Sequence, residues 1–368
     1  MGKILYVAST FSHISSFHIP YIDKLRSLGN QVMIMARGEG ADFDVPFEKK
    51  LLSGKNKKCR AMIRRILREE SFDLIILNTS LAAFHVRQAI PRGKRPRVVN
   101  IAHGYLFSKS SEGVKGRIKS ALLLFAEKLQ RRRTDAIITM NREDLDLAVR
   151  HRLTAGPVEN TLGMGVLRRS PDLPREEIRR SLGIENKFAM TFVGELSGRK
   201  NQSFLIEALP QLKADIPSCV LMLVGEGDKR AELSTLAREL GVEDSVIFAG
   251  RKSNVEDYIY ASDLYVSASR SEGLPFNIVE ALGCGATVRA SGVKGHTDIL
   301  DDGSGITFPP GSRDAFCKEV LKVYRCETVV SEKAKDAAFL KYSFDNVFSK
   351  TFDAICRVAD PTGEIILR

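Results

Sequence analysis

Short aliphatic runs separated by helix-length polar stretches recur along this chain, and that rhythm constrains its fold more than any other feature. In the first half the runs are Ile4–Ala8, Gln31–Ala36, Asp73–Leu77, Val98–Ala102 and Ala136–Thr139. They are nearly continuously apolar, as suits parallel strands covered by helices on both faces. Helix candidates fill the gaps: one after Pro20 that ends near Gly29, one over Cys59–Glu70 and one over Val114–Arg132. Alternating strand and helix predicts a doubly wound α/β domain.

Near Gly163 the rhythm breaks, and the polar stretch Arg168 to Arg180, with Pro171 and Pro174, reads as a linker leading into a short helix. Then the rhythm restarts. Strands are predicted over Phe188–Val193, Val220–Val224, Val246–Ala249, Leu264–Ala268 and Ala286–Ala290, with helices over Gln202–Lys213 and Lys229–Leu240. The 368 residues therefore divide into two Rossmann-like α/β domains, 1–165 and 166–343, as expected at about 150 residues per domain. A last helix candidate, around Phe344–Arg357, lies beyond the final strand, and residues 344–368 are expected to pack back on the first domain.

Composition narrows the function. No apolar run approaches the ~20 residues that span a bilayer; the longest, Ala121 to Ala126, ends in Glu127 and Lys128. The opening Met-Gly-Lys-Ile-Leu-Tyr-Val-Ala reads as a first strand, not a signal peptide. Six scattered cysteines form no Cys-x-x-Cys pair and have no histidine at zinc-ligand spacing, so they read as reduced thiols of a cytoplasmic protein without a metal. The net charge of +11 is uneven: residues 1–165 carry 29 Lys and Arg against 15 Asp and Glu, whereas the rest carry 27 against 30. The positive excess thus sits in the first half and calls for an anionic partner there. Lys55, Lys57, Lys58, Arg60, Arg64, Arg65 and Arg68 surround one amphipathic helix, whose apolar stripe is Met62, Ile63, Ile66 and Leu67, and Arg131–Arg133 end another. Electrostatic attachment to anionic lipid and to a lipid diphosphate fits this pattern; a core-packed helix with a solvated basic face is the alternative. Nucleic acid is the poorer reading and no such partner is expected, there being no recognition motif or stacking array, with aromatics at 7%.

The chemistry concentrates in Ser271-Glu272-Gly273-Leu274-Pro275-Phe276-Asn277-Ile278-Val279-Glu280-Ala281. Gly273 and Pro275 make a turn, and Asn277–Leu282 reads as the first turns of a helix. The unpaired N–H groups of such a helix start favour a diphosphate. Glu280 can accept from ribose hydroxyls, and Glu272 from hydroxyls of a sugar beyond the phosphate. Alone, both could equally be solvent-facing carboxylates.

This stretch resembles the paired-glutamate signature of the retaining glycosyltransferases of family 4. Val193-Gly194-Glu195-Leu196 with Arg199, Lys200 and Asn201 is similar to that family's donor-phosphate loop, Leu223-Val224-Gly225-Glu226-Gly227 to the strand end beside the nucleotide, and Phe248-Ala249-Gly250-Arg251 to the loop beside the base. Gly295-His296-Thr297-Asp298 matches the turn after the next strand. In the first half, Ser12-His13-Ile14 and Phe17-His18-Ile19-Pro20-Tyr21 resemble members that build capsular or exopolysaccharides, and Ala102-His103-Gly104 the family's His-Gly element.

The resemblance implies a GT-B fold, two domains facing across a cleft, with retaining transfer of a hexose or N-acetylhexosamine from a UDP-sugar. It implies neither metal nor cofactor. Lys200, Glu272 and His103 are the expected catalytic residues, His103 reaching the donor sugar. Gly194, Arg199, Gly225, Arg251, Gly273, Leu274, Pro275, Phe276, Asn277 and Glu280 are the expected donor-binding residues, and His13 and His18 the acceptor-side ones. The acceptor would be a saccharide, polyprenyl-diphosphate-linked, met at the inner face of the cell membrane. A UDP-N-acetylglucosamine 2-epimerase and a non-catalytic nucleotide-sugar sensor share this fold and remain alternatives; the paired glutamates weigh against the first. Three departures stand out: Glu195 replaces a common arginine, Ala8-Ser9-Thr10-Phe11-Ser12 replaces a glycine-rich loop, and Arg289 lies in an apolar strand where its charge needs a partner.

Overall fold

The computed structural model describes residues 2–48, 54, 56–91, 95–105, 107 and 113–366; Lys55 lies outside them. Two compact units form, one of Met1–Gly165 with Phe344–Arg368 and one of Val166–Ser343.

In the first unit the strands are β1 (Lys3–Thr10), β2 (Gln31–Arg37), β3 (Phe43–Asp44), β4 (Leu74–Asn78), β5 (Arg97–Ala102), β6 (Ala136–Thr139) and β7 (Val158–Asn160). They lie in the order β3-β2-β1-β4-β5-β6-β7, every neighbouring pair parallel. The second unit holds β8 (Phe188–Val193), β9 (Cys219–Val224), β10 (Val246–Gly250), β11 (Leu264–Ser267), β12 (Val288–Ser291) and β13 (Ile306–Phe308), ordered β10-β9-β8-β11-β12-β13 and again all parallel. Both are the doubly wound arrangement that the strand–helix rhythm predicts. The order reverses between β1 and β4 in one sheet and between β8 and β11 in the other. Ligands of open α/β sheets collect beyond the carboxyl ends of the strands at such reversals.

Each sheet is lined by side chains removed from water. Ile4 to Val7, Leu74 to Leu77 and Leu221 to Leu223 are fully buried, each such aliphatic side chain contributing about 1.5–3 kcal/mol. Strands β3, β7 and β13 have two or three residues and lie toward sheet edges; runs that short carry no readable periodicity. The helix expected after Pro20 spans Ile19–Ser27, and a separate helix, Phe11–Phe17, precedes it.

The helix Phe344–Ala359 lies against β5 and β6 of the first unit. Thr351 Oγ1 donates to the Gly163 carbonyl at 2.9 Å, and Phe348 packs on Tyr21 at 4.8 Å between ring centroids. Gly165 (φ +81°) lets the chains touch: a Cβ there would sit 2.7 Å from the Cα of Phe344. Arg289 is fully buried in β12, and its partner is Glu319, 3.4 Å away on the helix Arg313–Tyr324. Glu319 also holds Lys322 at 2.6 Å.

Candidate active site

In the second unit three loops leave adjacent strand ends in close contact. Gly194 N–H donates to the Val224 carbonyl at 2.9 Å, and Gly225 N–H to the Gly250 carbonyl at 2.8 Å. A Cβ on Gly225 (φ +145°) would lie 2.0 Å from the Gly194 oxygen. Only glycine permits that approach, so the loops after β8, β9 and β10 form one backbone surface. Arg251, next in the third loop, is exposed.

Lys200 and Arg199 follow the first loop, just before the helix Gln202–Asp215. The turn passes through Asn201 in a left-handed conformation (φ +58°), whose amide donates to the Ala268 carbonyl at 3.1 Å. That bond ties the loop to the segment leaving β11. There, Glu272 receives Lys200 Nζ at 2.8 Å on Oε1 and Arg199 at 2.6 Å on Oε2. Arg199 also donates to the Ser271 carbonyl at 3.0 Å. Both Glu272 and Lys200 are buried. Burial alone would push the Glu272 carboxyl up; the Lys200 ammonium, then the Arg199 guanidinium, outweigh it and hold the group at about 2. Burial pulls Lys200 below the ordinary lysine value, with Glu272 opposing. The arrangement is a buried carboxylate neutralising two cations at the end of the switch-point strands.

Pro275 caps the helix Phe276–Gly283, and Asn277 donates to the Val193 carbonyl at 2.8 Å, so this helix start is bonded to the end of β8. Gly273, Leu274 and Pro275 form the turn between Glu272 and that helix. Gly295 closes it from behind, a Cβ there falling 2.6 Å from the Gly273 oxygen. Glu280 lies further along the helix, beside a small cavity lined also by Leu167, Arg169, Val255, Glu256 and Cys284. Burial pushes its carboxyl above the ordinary range; Arg169 opposes and Glu256 adds. The two glutamates of the signature thus occupy different surroundings, one tied to cations and the other half-buried beside the cavity.

The second candidate cluster belongs to the first unit. His13 is on the helix Phe11–Phe17, His18 joins that helix to the next, and His103 follows β5. Their ring centroids are 4.8 to 5.2 Å apart. Tyr6 Oη is 2.9 Å from His18 Nδ1, His18 Nε2 is 3.2 Å from His13 Nε2, and His103 Nε2 is 3.2 Å from Asn78 Oδ1. Among the described residues these three histidines are the group with metal-ligand spacing. In place of a glycine-rich loop, β1 runs straight into the helix Phe11–Phe17, and Ser9 bonds Thr79 Oγ1 through its N–H at 3.0 Å and its hydroxyl at 2.7 Å. Thr79 adopts φ +63° to make this contact.

Sequence reasoning did not single out Tyr6, Asn78 or the anchoring role of Asn201. Asn78, a polar residue ending the apolar run of β4, was the one signal available for them. His296, quoted only as part of a motif, is fully buried and bonds the Ser291 carbonyl at 2.7 Å; burial lowers it to about 4.

Two nucleotide-binding-type α/β units, one carrying a cation–carboxylate cluster at its switch point, define the class. Residues 174–339 match the family model described as glycosyl transferases group 1, and residues 21–159 match glycosyltransferase family 4. The chain belongs to the family-4-like glycosyltransferases of the GT-B fold. It is 28% identical over 354 residues to EpsD of Bacillus subtilis, named as a glycosyltransferase, covering 91% of this chain and 92% of that one. Over 278 residues it is 23% identical to the UDP-Gal:alpha-D-GlcNAc-diphosphoundecaprenol alpha-1,3-galactosyltransferase of Escherichia coli, covering 73% and 70%. In fold it resembles HepE of Anabaena, solved with UDP-glucose, at TM-score 0.75 and 19% identity, covering 96% and 99%.

Proposed function

We propose that this glycosyltransferase moves a hexose or N-acetylhexosamine from a UDP-sugar to a polyprenyl-diphosphate-linked saccharide, with retention of configuration and without a metal. The observation that carries the reading is the buried Lys200–Glu272 pair, joined by the exposed Arg199, beyond β8 and β11. As the sugar–phosphate bond breaks, negative charge grows on the diphosphate. Lys200 and the N–H groups opening the helix Phe276–Gly283 meet that charge. Glu272 holds both cations in position until the diphosphate arrives, and then turns to sugar hydroxyls. Gly194, Gly225 and Gly273 let the backbone approach the phosphates, and Asn277 holds the helix start against the end of β8. Glu280 takes the ribose, and Arg251 stands beside the base. His103 is assigned to the donor sugar by resemblance, and His13 and His18 to the acceptor side. The acceptor hydroxyl enters on the side from which the diphosphate departs, so no enzymic nucleophile is needed.

A relative supports the acceptor class: the name of the Escherichia coli enzyme specifies a diphosphoundecaprenol-linked sugar and a UDP donor. A lipid-linked acceptor places the reaction at a membrane face, here the cytoplasmic one. No described helix is long and apolar enough to cross a membrane. The helix Gly113–Leu129 offers shallow contact instead: Ile118, Leu122, Phe125 and Leu129 are 56 to 64% exposed along one stripe. Its carboxylate, Glu127, is turned inward onto Arg87 at 2.9 Å, while Arg117, Lys119 and Lys128 remain exposed. An apolar stripe flanked by cations suits an anionic lipid surface.

The test is a panel of UDP-sugars with a lipid extract, reading UDP release and the anomeric configuration of the product, with and without EDTA. UDP release that depends on the extract, with an α-linked product from an α-linked donor, is expected. Release independent of acceptor, epimerisation of the donor, or binding without turnover would each overturn the transferase reading. Loss of turnover in EDTA would overturn the metal-independent part.

A further inference from the structure

We propose that His13, His18 and His103 bind one divalent transition cation, zinc by preference, in a three-nitrogen site on the first unit. One ring nitrogen from each residue lies within 4.8 Å of one from each of the others. The shortest separation, 3.2 Å between His18 Nε2 and His13 Nε2, is close to the edge of a tetrahedron with zinc–nitrogen bonds of about 2.0–2.1 Å. Closing the other edges requires a rotamer change of the two half-buried rings, His13 and His103.

The partners around the rings fit ligation. Asn78 Nδ2 donates to the Val7 carbonyl at 3.2 Å, which fixes Asn78 Oδ1 as an acceptor. His103 must then donate from Nε2 to that oxygen at 3.2 Å, so its lone pair resides on Nδ1. Tyr6 Oη, 2.9 Å from His18 Nδ1, can accept from that nitrogen and leave the Nε2 lone pair facing His13. Two neutral imidazole nitrogens at 3.2 Å need a proton or a cation between them, and a cation satisfies the third ring as well. Metal-bound histidines are characteristically held this way, with the outer N–H on a fixed oxygen.

The donor set selects the ion. Three imidazoles without a carboxylate or thiolate suit zinc, copper, nickel or cobalt and not magnesium or calcium. Three protein ligands leave a fourth position for water or a substrate oxygen. This cation takes no part in the transfer proposed above; by occupying His103 it withholds that ring, so zinc is expected to inhibit.

The experiment uses the full chain without an affinity tag, freed of metal and titrated with Zn²⁺ by calorimetry and with Co²⁺ by visible absorption. One equivalent of each should bind, Co²⁺ giving the intense bands of a tetrahedral nitrogen site. Tyr6→Phe should weaken Zn²⁺ about 10–100-fold, the usual effect of removing an outer partner, and His13→Ala should weaken it further. Far-UV circular dichroism and the thermal melt of the same His13→Ala preparation report folding of the first unit, and its UDP affinity reports the donor site, all independently of metal. Absence of stoichiometric binding, or equal Zn²⁺ affinity in folded His13→Ala, overturns the site. Neither result bears on whether the enzyme transfers sugar.

Discussion

Lys200 separates binding from chemistry at the level of one side chain. The charge it faces grows as the glycosidic bond breaks, so Lys200→Ala should lower kcat by a larger factor than it raises the donor KM. Steady-state kinetics check this; a raised KM with unchanged kcat would reduce Lys200 to a ground-state contact. Glu272 allows a pH test. Its folded pKa is depressed to about 2 by Lys200 and Arg199 against the effect of burial. A depressed carboxylate contributes stability above its unfolded pKa, about 4.3, and loses it as pH falls through the folded value. The stability gap between the native protein and Glu272→Gln should therefore be constant near neutrality and narrow from about pH 4.5 toward 2. Paired urea melts across that range measure it, and a gap that widens on acidification would contradict the ion-pair assignment.

Two helices of the first unit divide the membrane question. The apolar stripe of Asn56–Glu69 is spent inside: Cys59, Ile63 and Ile66 are buried in the core beneath β4, while Lys57, Lys58, Arg64, Arg65 and Arg68 face out. On Gly113–Leu129 the stripe faces out as well. Reversing Lys57, Lys58, Arg64 and Arg65 to Glu should then abolish only the salt-sensitive part of binding to anionic vesicles, since each basic residue near such a surface is worth about 1 kcal/mol and is screened. Leu122→Ser with Phe125→Ser should remove the part that persists in high salt. Flotation assays over a salt series distinguish the two, and vesicle binding unchanged in both variants would eliminate these helices as the contact. In sequence the charge asymmetry was legible, but which helix exposes its apolar residues was not. Periodicity marks an apolar face without saying whether a neighbour covers it.

The chain forms two units, and the helix Phe344–Ala359 returns to the first. If donor binding is confined to the second unit, heating should give two transitions of which UDP raises one. At a UDP concentration 100-fold above its Kd the gain is about 2.7 kcal/mol. Glu280→Ala should shrink that gain, because losing hydrogen bonds to a charged group weakens UDP by roughly 1–3 kcal/mol. Scanning calorimetry tests both points; a single transition shifted as a unit would show that the two halves unfold together.

Much of this architecture was written in local pattern. Parallel strands buried on both faces need unbroken aliphatic runs, and β1, β4, β8 and β9 declare themselves by composition alone. The turn from Glu272 into the helix Phe276–Gly283 is equally local, since Gly273 permits a tight turn and Pro275 fixes its own φ and restricts Leu274 before it. What tertiary structure decided were the pairings between distant segments. Arg289 met Glu319 across a helix–strand contact, and Glu272 met Lys200 and Arg199 because β8 and β11 are neighbours at the sheet's reversal. Three histidines, unremarkable in their local spacing, converged because β1, β4 and β5 end side by side. Strand order is a property of the folded sheet, and no periodicity in one segment encodes which other segment lies next to it.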